Sequence, residues 1–405
     1  MITKPLRTNS RPCLPKQSSN LSPQVWGSAP PTCTQVRFSV SLIMKGLTMT
    51  TAQEHVMTMP EIATSVARLE ELQQDTVDMV VPSHSINAEV GQIGQAVEPL
   101  LNVKVGIANT SSQLLLHIQD HAHSQIFQTG TDIGLHYGRK LLTAPDLWAT
   151  NVNHWLHGKD KSESSYLLRT RKDYLRSFLS SRYKIVNNYD VALTTLRKAT
   201  NVGAFPHRFD VSDTHMRLTY LMPEWTVDLG DGDTHTYGFR VSNSEVGLGA
   251  VDVKPFLFRW VCTNGLIMGT QELKQGAMHK VHRGSDLPLG QLSSRTIKLQ
   301  SEAVLSEAED AVTNCLDKTM FDGWIRQLQR ASETALTDEP AKILKRTKFF
   351  SESETANILY ELQQAQATVF GMVQSMTATA RSMTCLLYTS PSPRDRTRSR
   401  MPSSA

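Results

Sequence analysis

The stretch Thr234–Gly269, reading THTYGFRVSNSEVGLGAVDVKPFLFRWVCTNGLIMG, decides the fold class. Tyr237, Phe239 and Val241 alternate with Gly238, Arg240 and Ser242, the period of two of a half-buried strand. Ser242, Asn243 and Ser244 supply a polar turn, and Val246, Leu248, Val251 and Val253 lead into the apolar run Phe256, Leu257, Phe258, Trp260, Val261. The pair reads as a hairpin at the centre of an antiparallel or mixed sheet. Cys262, with Thr263, Asn264 and Gly265, is its most suggestive chemical group, because a thiolate on a turn can act as a nucleophile. It directly follows Trp260 and Val261, however, and no histidine or acid is assignable to it; an inert buried thiol is the commoner use. No catalytic residue is assigned.

Upstream, Tyr166–Thr170 and Tyr174–Ser180 are short strand-like runs joined through Arg171, Lys172 and Asp173. Asp190 fits the cap of a helix holding Ala192, Leu193, Leu196 and Ala199. Met216, Leu218, Tyr220 and Met222 alternate as a further strand, closed by the solvated turn LGDGD at 229–233, which lacks the spacing of a calcium loop. Leu101, Val103 and Val105 alternate likewise. Helical periodicity marks residues 50–78 around Pro60, 124–139 and 146–157, then 296–332 through Leu305, Ala308, Val312, Leu316 and Met320, and 352–382 through Ala356, Leu359, Leu362 and Phe370. The fold class is therefore α+β: an antiparallel or mixed central sheet with flanking helices and a helical C-terminal region.

The two ends differ from this core. Residues 1–43 hold Lys4, Arg7, Arg11, Lys16 and Arg37, no acid and six prolines, without the period of a targeting helix. They read as a leader outside the core, or as codons upstream of a true start at Met44 or Met49. From Cys385 the chain runs CLLYTSPSPRDRTRSRMPSSA, and CLLYTSPSPRD resembles the translation of a sequencing-library transposase adapter. Residues 385–405 are expected to be a foreign or disordered tail, leaving 44–295 as the main α+β domain and 296–384 as a truncated helical region. The leader carries five positive charges and the tail a net three; without them the formal +4 becomes about −4 for residues 44–384. The basic balance thus belongs to the ends and is no argument for a polyanion partner.

Of five cysteines only Cys262 and Cys315 lie in the core, which gives no disulfide framework and indicates a reducing compartment. No apolar run reaches the ~18 residues of a membrane span. A bacterial host cytoplasm is the expected location. His117, His121 and His123 crowd the sequence HIQDHAH, but no glutamate stands beside the first and a third zinc ligand is not evident, so no metal is assigned. GQIG at 91–94 is too short for a dinucleotide fingerprint, and no cofactor is implied.

The segments YLLRTRKDYLRSFLSSRYKIVNNYDV, RLTYLMPEW and GFRVSNSEVGLGAVDVKPFLFRWVCTNGLI, over roughly 110–330, resemble a phage and plasmid family known as domain of unknown function 932. The resemblance implies origin in a phage, prophage or plasmid and carries over no catalytic residues.

Function then rests on side-chain pattern. Arg169, Arg171, Lys172, Arg176, Arg182 and Lys184 interleave with Tyr166, Tyr174, Phe178 and Tyr183, the cations and aromatic faces that single-stranded nucleic acid requires, and Lys274, Lys280 and Arg283 extend the set. The expected function is single-strand binding in replication or recombination. The competing readings are a structural protein assembling into homo-oligomers through its C-terminal helices and, behind both, an enzyme.

Overall fold

The computed structural model describes residues 24–26, 56–93, 96–107, 110–229, 234–259, 264–266, 279–280, 287–336, 338–347, 350–363 and 365–382. The chain is α+β, with two sheets in place of the single one read from the sequence, and its contacts gather it into two units.

The first unit comprises the described residues that fall within 1–29, 75–184 and 284–297. Its sheet is mixed: β1 (Gln24–Trp26), β2 (Thr76–Pro82), β3 (Ile86–Ile93), β4 (Ala96–Ile107), β5 (Thr110–Ile118), β6 (Ser165–Arg171) and β7 (Tyr174–Ser180) lie in the order β1-β2-β6-β7-β5-β4-β3. Only β5 and β7 run parallel, with His117 opposite Tyr174. Alternation puts Met79, Val81, Leu101, Val103, Leu116 and Leu168 on one face. There they bury against α2 (Asp120–Gln125), a π-turn at Ile126–Gly130, α3 (Leu135–Leu141) and α4 (Pro145–Leu156), whose Trp148 and Val152 are fully buried. The helix expected over 124–139 is thus broken: the wide turn and the extended residues 131–134 separate α2 from α3.

At the β3 edge, the Asn153 side-chain amide accepts from the Ala88 N–H at 2.7 Å and donates to the Ala88 carbonyl at 2.8 Å. One turn later His157 Nε2 lies 2.9 Å from the Ile86 carbonyl oxygen.

The β6–β7 hairpin turns on two residues, Lys172 and Asp173, between the paired Arg171 and Tyr174. Lys172 sits at φ 56°, in the left-handed region that costs an L side chain about 1 kcal/mol or more. Lys172→Gly is therefore expected to raise the urea midpoint, with a gain of about 0.5–1 kcal/mol; a lowered midpoint would mean that the lysine stem contributes more than the strain removes.

The second unit comprises the described residues that fall within 30–74, 185–283 and 298–405. Its sheet is antiparallel throughout: β8 (Phe205–Val211), β9 (Met216–Asp228), β10 (Thr234–Asn243), β11 (Val251–Arg259) and β12 (Asn264–Leu266) follow in the order β12-β11-β10-β9-β8, and β13 (His279–Lys280) also pairs with β11. β10, the strand with the clearest alternation, stands at the centre between β9 and β11. The LGDGD turn falls largely outside the described residues, but the strands on either side of it pair antiparallel.

One face of this sheet carries Met216, Leu218, Tyr220, Tyr237, Phe239 and Val253 into the core. They meet α1 (Met59–Gln74), α5 (Asn188–Asn201), α6 (Ser294–Asn314) from Lys298 onward, and α7 (Lys318–Glu333). Pro60 stands in the first turn of α1, where its missing N–H costs nothing, and Glu61 accepts from the Thr58 N–H at 2.7 Å and from the Thr58 hydroxyl at 2.8 Å. The helix expected over 296–332 is interrupted at Cys315–Asp317, where Asp317 accepts from the Thr319 N–H at 2.8 Å and caps α7. At this break the Tyr237 hydroxyl donates to the Cys315 carbonyl, and burial pushes the Cys315 thiol up to about 12, an inert core cysteine. Residues 352–382 likewise divide into α9 (Glu352–Gln363) and α10 (Val369–Ser382) after the short α8 (Pro340–Thr347); Leu344, Ile358, Leu362 and Met372 form a small core among them.

The VSNSEVG phrase has a structural job. Buried Asn243, closing β10, donates through Nδ2 to the Val186 carbonyl at 3.1 Å and to Asn188 Oδ1 at 2.9 Å, while Glu245 accepts from the Asn188 N–H at 3.2 Å. These bonds hold the start of α5, which begins at Asn188; Asp190, expected as its cap, sits in the first turn and accepts instead from the Asn187 side chain at 3.2 Å.

Candidate nucleic-acid interface

The basic residues of the first unit's hairpin divide into three groups. Arg169 and Arg176 are buried, at 1% and 2% exposure; Arg169 Nε lies 2.7 Å from Asp78 Oδ1, and Arg176 reaches toward the Thr76 hydroxyl at 3.5 Å. Tyr166 and Phe178 pack ring against ring in the core, 4.6 Å apart. Arg171, Lys172 and Tyr174 gather at the hairpin turn, where Lys172 and Tyr174 are exposed and the Tyr174 ring lies 5.3 Å from His117. Arg182, buried Tyr183 and Lys184 follow the other end of β7, about 20 Å away along a seven-residue strand. Lys274, Arg283 and Cys262 lie outside the described residues, as does the Lys280 side chain; its backbone belongs to β13.

His117 closes β5, whereas His121 and His123 stand on α2. His123 is buried edge-on to Trp148, 5.7 Å away, and burial lowers its pKa to about 4 against the opposing pull of Asp120. Among the described residues no three His, Cys, Asp or Glu side chains come together as a metal site.

A denser cationic group stands in the second unit, on the sheet face opposite the core. Strand register places Arg208 of β8 opposite Thr219 of β9, Thr219 opposite Arg240 of β10, and Arg240 opposite Lys254 of β11. Three cations and a hydroxyl thus form one row across four adjacent strands, spanning about 14 Å. Arg217 stands one row over, opposite Asp210 and Ser242. Like charges directly opposite on neighbouring strands are unfavourable, so Arg240 beside Lys254 is a local conflict of the kind that collects at working surfaces.

The surroundings sharpen that conflict. Arg240 is half-buried, its guanidinium carbon 5.8 Å from the centre of the Phe256 ring. Phe256, Phe258 and Leu221 form an apolar cluster beside it, and the glycine at 238 permits this close layering: a Cβ there would stand 2.4 Å from the Tyr220 carbonyl oxygen and 2.9 Å from the Phe256 ring. Burial holds the Arg240 pKa below the usual arginine range, with Arg217 and Arg208 adding repulsion and Asp210 partly offsetting it. Among the described residues Arg240 makes no ion pair. Arg208 and Lys254, by contrast, are well exposed and reach solvent at the two ends of the row.

Arg208, Arg217, Arg240 and Lys254 were not among the sequence-derived candidates. Their signal was the polar half of the alternation in FPHRFDV, MRLTYLM, YGFRVS and VDVKPF, whose apolar half had already identified the strands. Only the register between strands shows that these polar positions share a row.

Among the described residues no helix is long and apolar enough to cross a membrane. The apolar stripes of the C-terminal helices are used inside the second unit: Ala308 and Val312 are fully buried, Leu316, Met320 and Phe370 pack on the sheet's core, and Leu359 packs on the small core of α8 to α10.

No curated protein and no solved structure matches the chain. A family model, Domain of unknown function (DUF932), matches residues 177–385, more than half of the 405, from within β7 through the six-stranded sheet and the C-terminal helices. The cationic row, the Asn243–Glu245 turn and the core they share therefore all lie within a domain of that family, and the chain belongs to it.

Proposed function

We propose that this chain is a nucleic-acid-binding protein, of phage or plasmid origin, that takes single strands on the outer face of its six-stranded sheet during replication or recombination. The row Arg208–Thr219–Arg240–Lys254 carries the reading: it presents cations across a span of about 14 Å with no acid in the row itself. A flexible phosphodiester backbone can follow such a line and neutralise it, whereas a single small anion reaches one or two of its members. The turn residues Arg171, Lys172 and Tyr174 of the first unit, of which Lys172 and Tyr174 are exposed, are of the same chemical type. The phage or plasmid setting rests on the family resemblance. Assembly through the C-terminal helices receives less support, since the stripe residues Ala308, Val312, Leu316, Met320, Leu359 and Phe370 already have partners within the second unit.

The test is fluorescence anisotropy with a labelled oligothymidylate. Three contacted phosphates imply a slope of log affinity against log salt of about −2. Arg240→Gln is expected to weaken binding about tenfold and to flatten that slope by about 0.7. Absence of binding at about 50 mM salt, or a variant indistinguishable from the parent, would overturn the reading.

A further inference from the structure

The two outer cations of the row are each engaged by an acid two residues away on their own strand. Arg208 Nε lies 2.9 Å and 2.7 Å from the two carboxylate oxygens of Asp210, and Lys254 pairs with Asp252. Residues two apart on a strand face the same way, so both acids stand on the ligand-bearing face. Asp210 is also opposite Arg217 in register. Its side chain is 46% exposed and that of Arg208 is 68% exposed, so neither is locked by packing. A carboxylate in this position occupies the cation that a phosphate would need.

We infer that Asp210 is a specificity-determining residue: a tethered counter-ion that any ligand must displace from Arg208, so that the face accepts polyanions and rejects small ones. This rests on the nucleic-acid reading above. A tethered acid competes at the high effective concentration its short connection enforces. A small anion such as inorganic phosphate gains too few contacts on the row to displace it. A nucleic-acid strand anchors on Arg240 and neighbouring cations first, and then exchanges its own phosphate for the carboxylate at Arg208. Asp252 repeats the arrangement at the other end of the row, but it is largely buried, so Asp210 is the position where charge can be removed with least effect on packing.

The experiment uses the full chain, as parent, Asp210→Asn, Asp210→Ser and Arg240→Gln, with labelled oligothymidylate and with inorganic phosphate as competitor. Both Asp210 variants are expected to bind the oligonucleotide roughly fivefold tighter at about 50 mM salt, with the gain shrinking as salt is raised. Inorganic phosphate, ineffective against the parent, is expected to displace the strand from the variants. Thermal melts of all four proteins establish that they are folded. If Arg240→Gln weakens binding while both folded Asp210 variants bind like the parent or more weakly, the counter-ion role is overturned and the nucleic-acid reading stands. If the parent does not bind, both fall together.

Discussion

Asn243→Ala is expected to destabilise the chain by about 3 kcal/mol, one of the larger losses available outside the apolar core. The side chain is 1% exposed, and its Nδ2 serves two buried acceptors, the Val186 carbonyl and Asn188 Oδ1. Truncation deletes both bonds and leaves at least one polar atom buried, each such group costing about 1–3 kcal/mol. Glu245 binds the Asn188 N–H from the same turn, so the loss extends to the start of α5. Urea denaturation of Asn243→Ala, Asn188→Ala and the double variant measures this: the two single losses should add to well above the double loss, because they break the same bond. Additive losses would show that the two side chains act independently, and a single loss below about 1 kcal/mol that the turn is held by its backbone.

Acid should weaken the first unit through His123. The unfolded chain titrates this histidine near its ordinary 6.5, while burial beside Trp148 lowers it to about 4 in the folded protein. Between these values unfolding takes up a proton. The contribution is therefore fully favourable above about pH 6.5 and is lost progressively as pH falls toward 4, by about 3 kcal/mol in total. His123→Phe keeps an aromatic ring against Trp148 and removes the titration. The stability difference between parent and variant should then shift by about 2 kcal/mol between pH 7 and pH 5, in the variant's favour at the lower pH. A constant difference across that range would place the folded-state titration near its ordinary position.

How much of this was legible in the sequence follows from which interactions are local. β10 and β11 were readable because Tyr237, Phe239, Val241, Val251 and Val253 state their own period, and their pairing completes it. The breaks at Cys315–Asp317 and within 126–134 were not, because the apolar spacing continues across them; capping by Asp317 and the wide turn at Ile126–Gly130 decide the outcome. That two sheets form was also hidden, since short strands do not announce which partners they will take. The same limit governed the candidate site. Arg169 and Arg176 look like surface cations in YLLRTRKDYLRS, yet both are buried; Asp78, ninety-one residues upstream, is the partner that makes this tolerable for Arg169, while Arg176 reaches toward the Thr76 hydroxyl. Arg208, Arg217, Arg240 and Lys254 are dispersed over four strands and become one surface only through register.

The clamp on β3 has a consequence for how the first sheet ends. A strand at an open margin offers amides and carbonyls to any extended peptide and so invites aggregation. Here α4 plays the part of the next strand. Two residues along a strand advance about 6.6 Å and one turn of four residues along a helix advances about 6 Å, so Asn153 and His157 meet Ala88 and Ile86 almost in step. At these two positions the ladder is terminated by side chains from a helix, which cannot pass the pairing on to another chain.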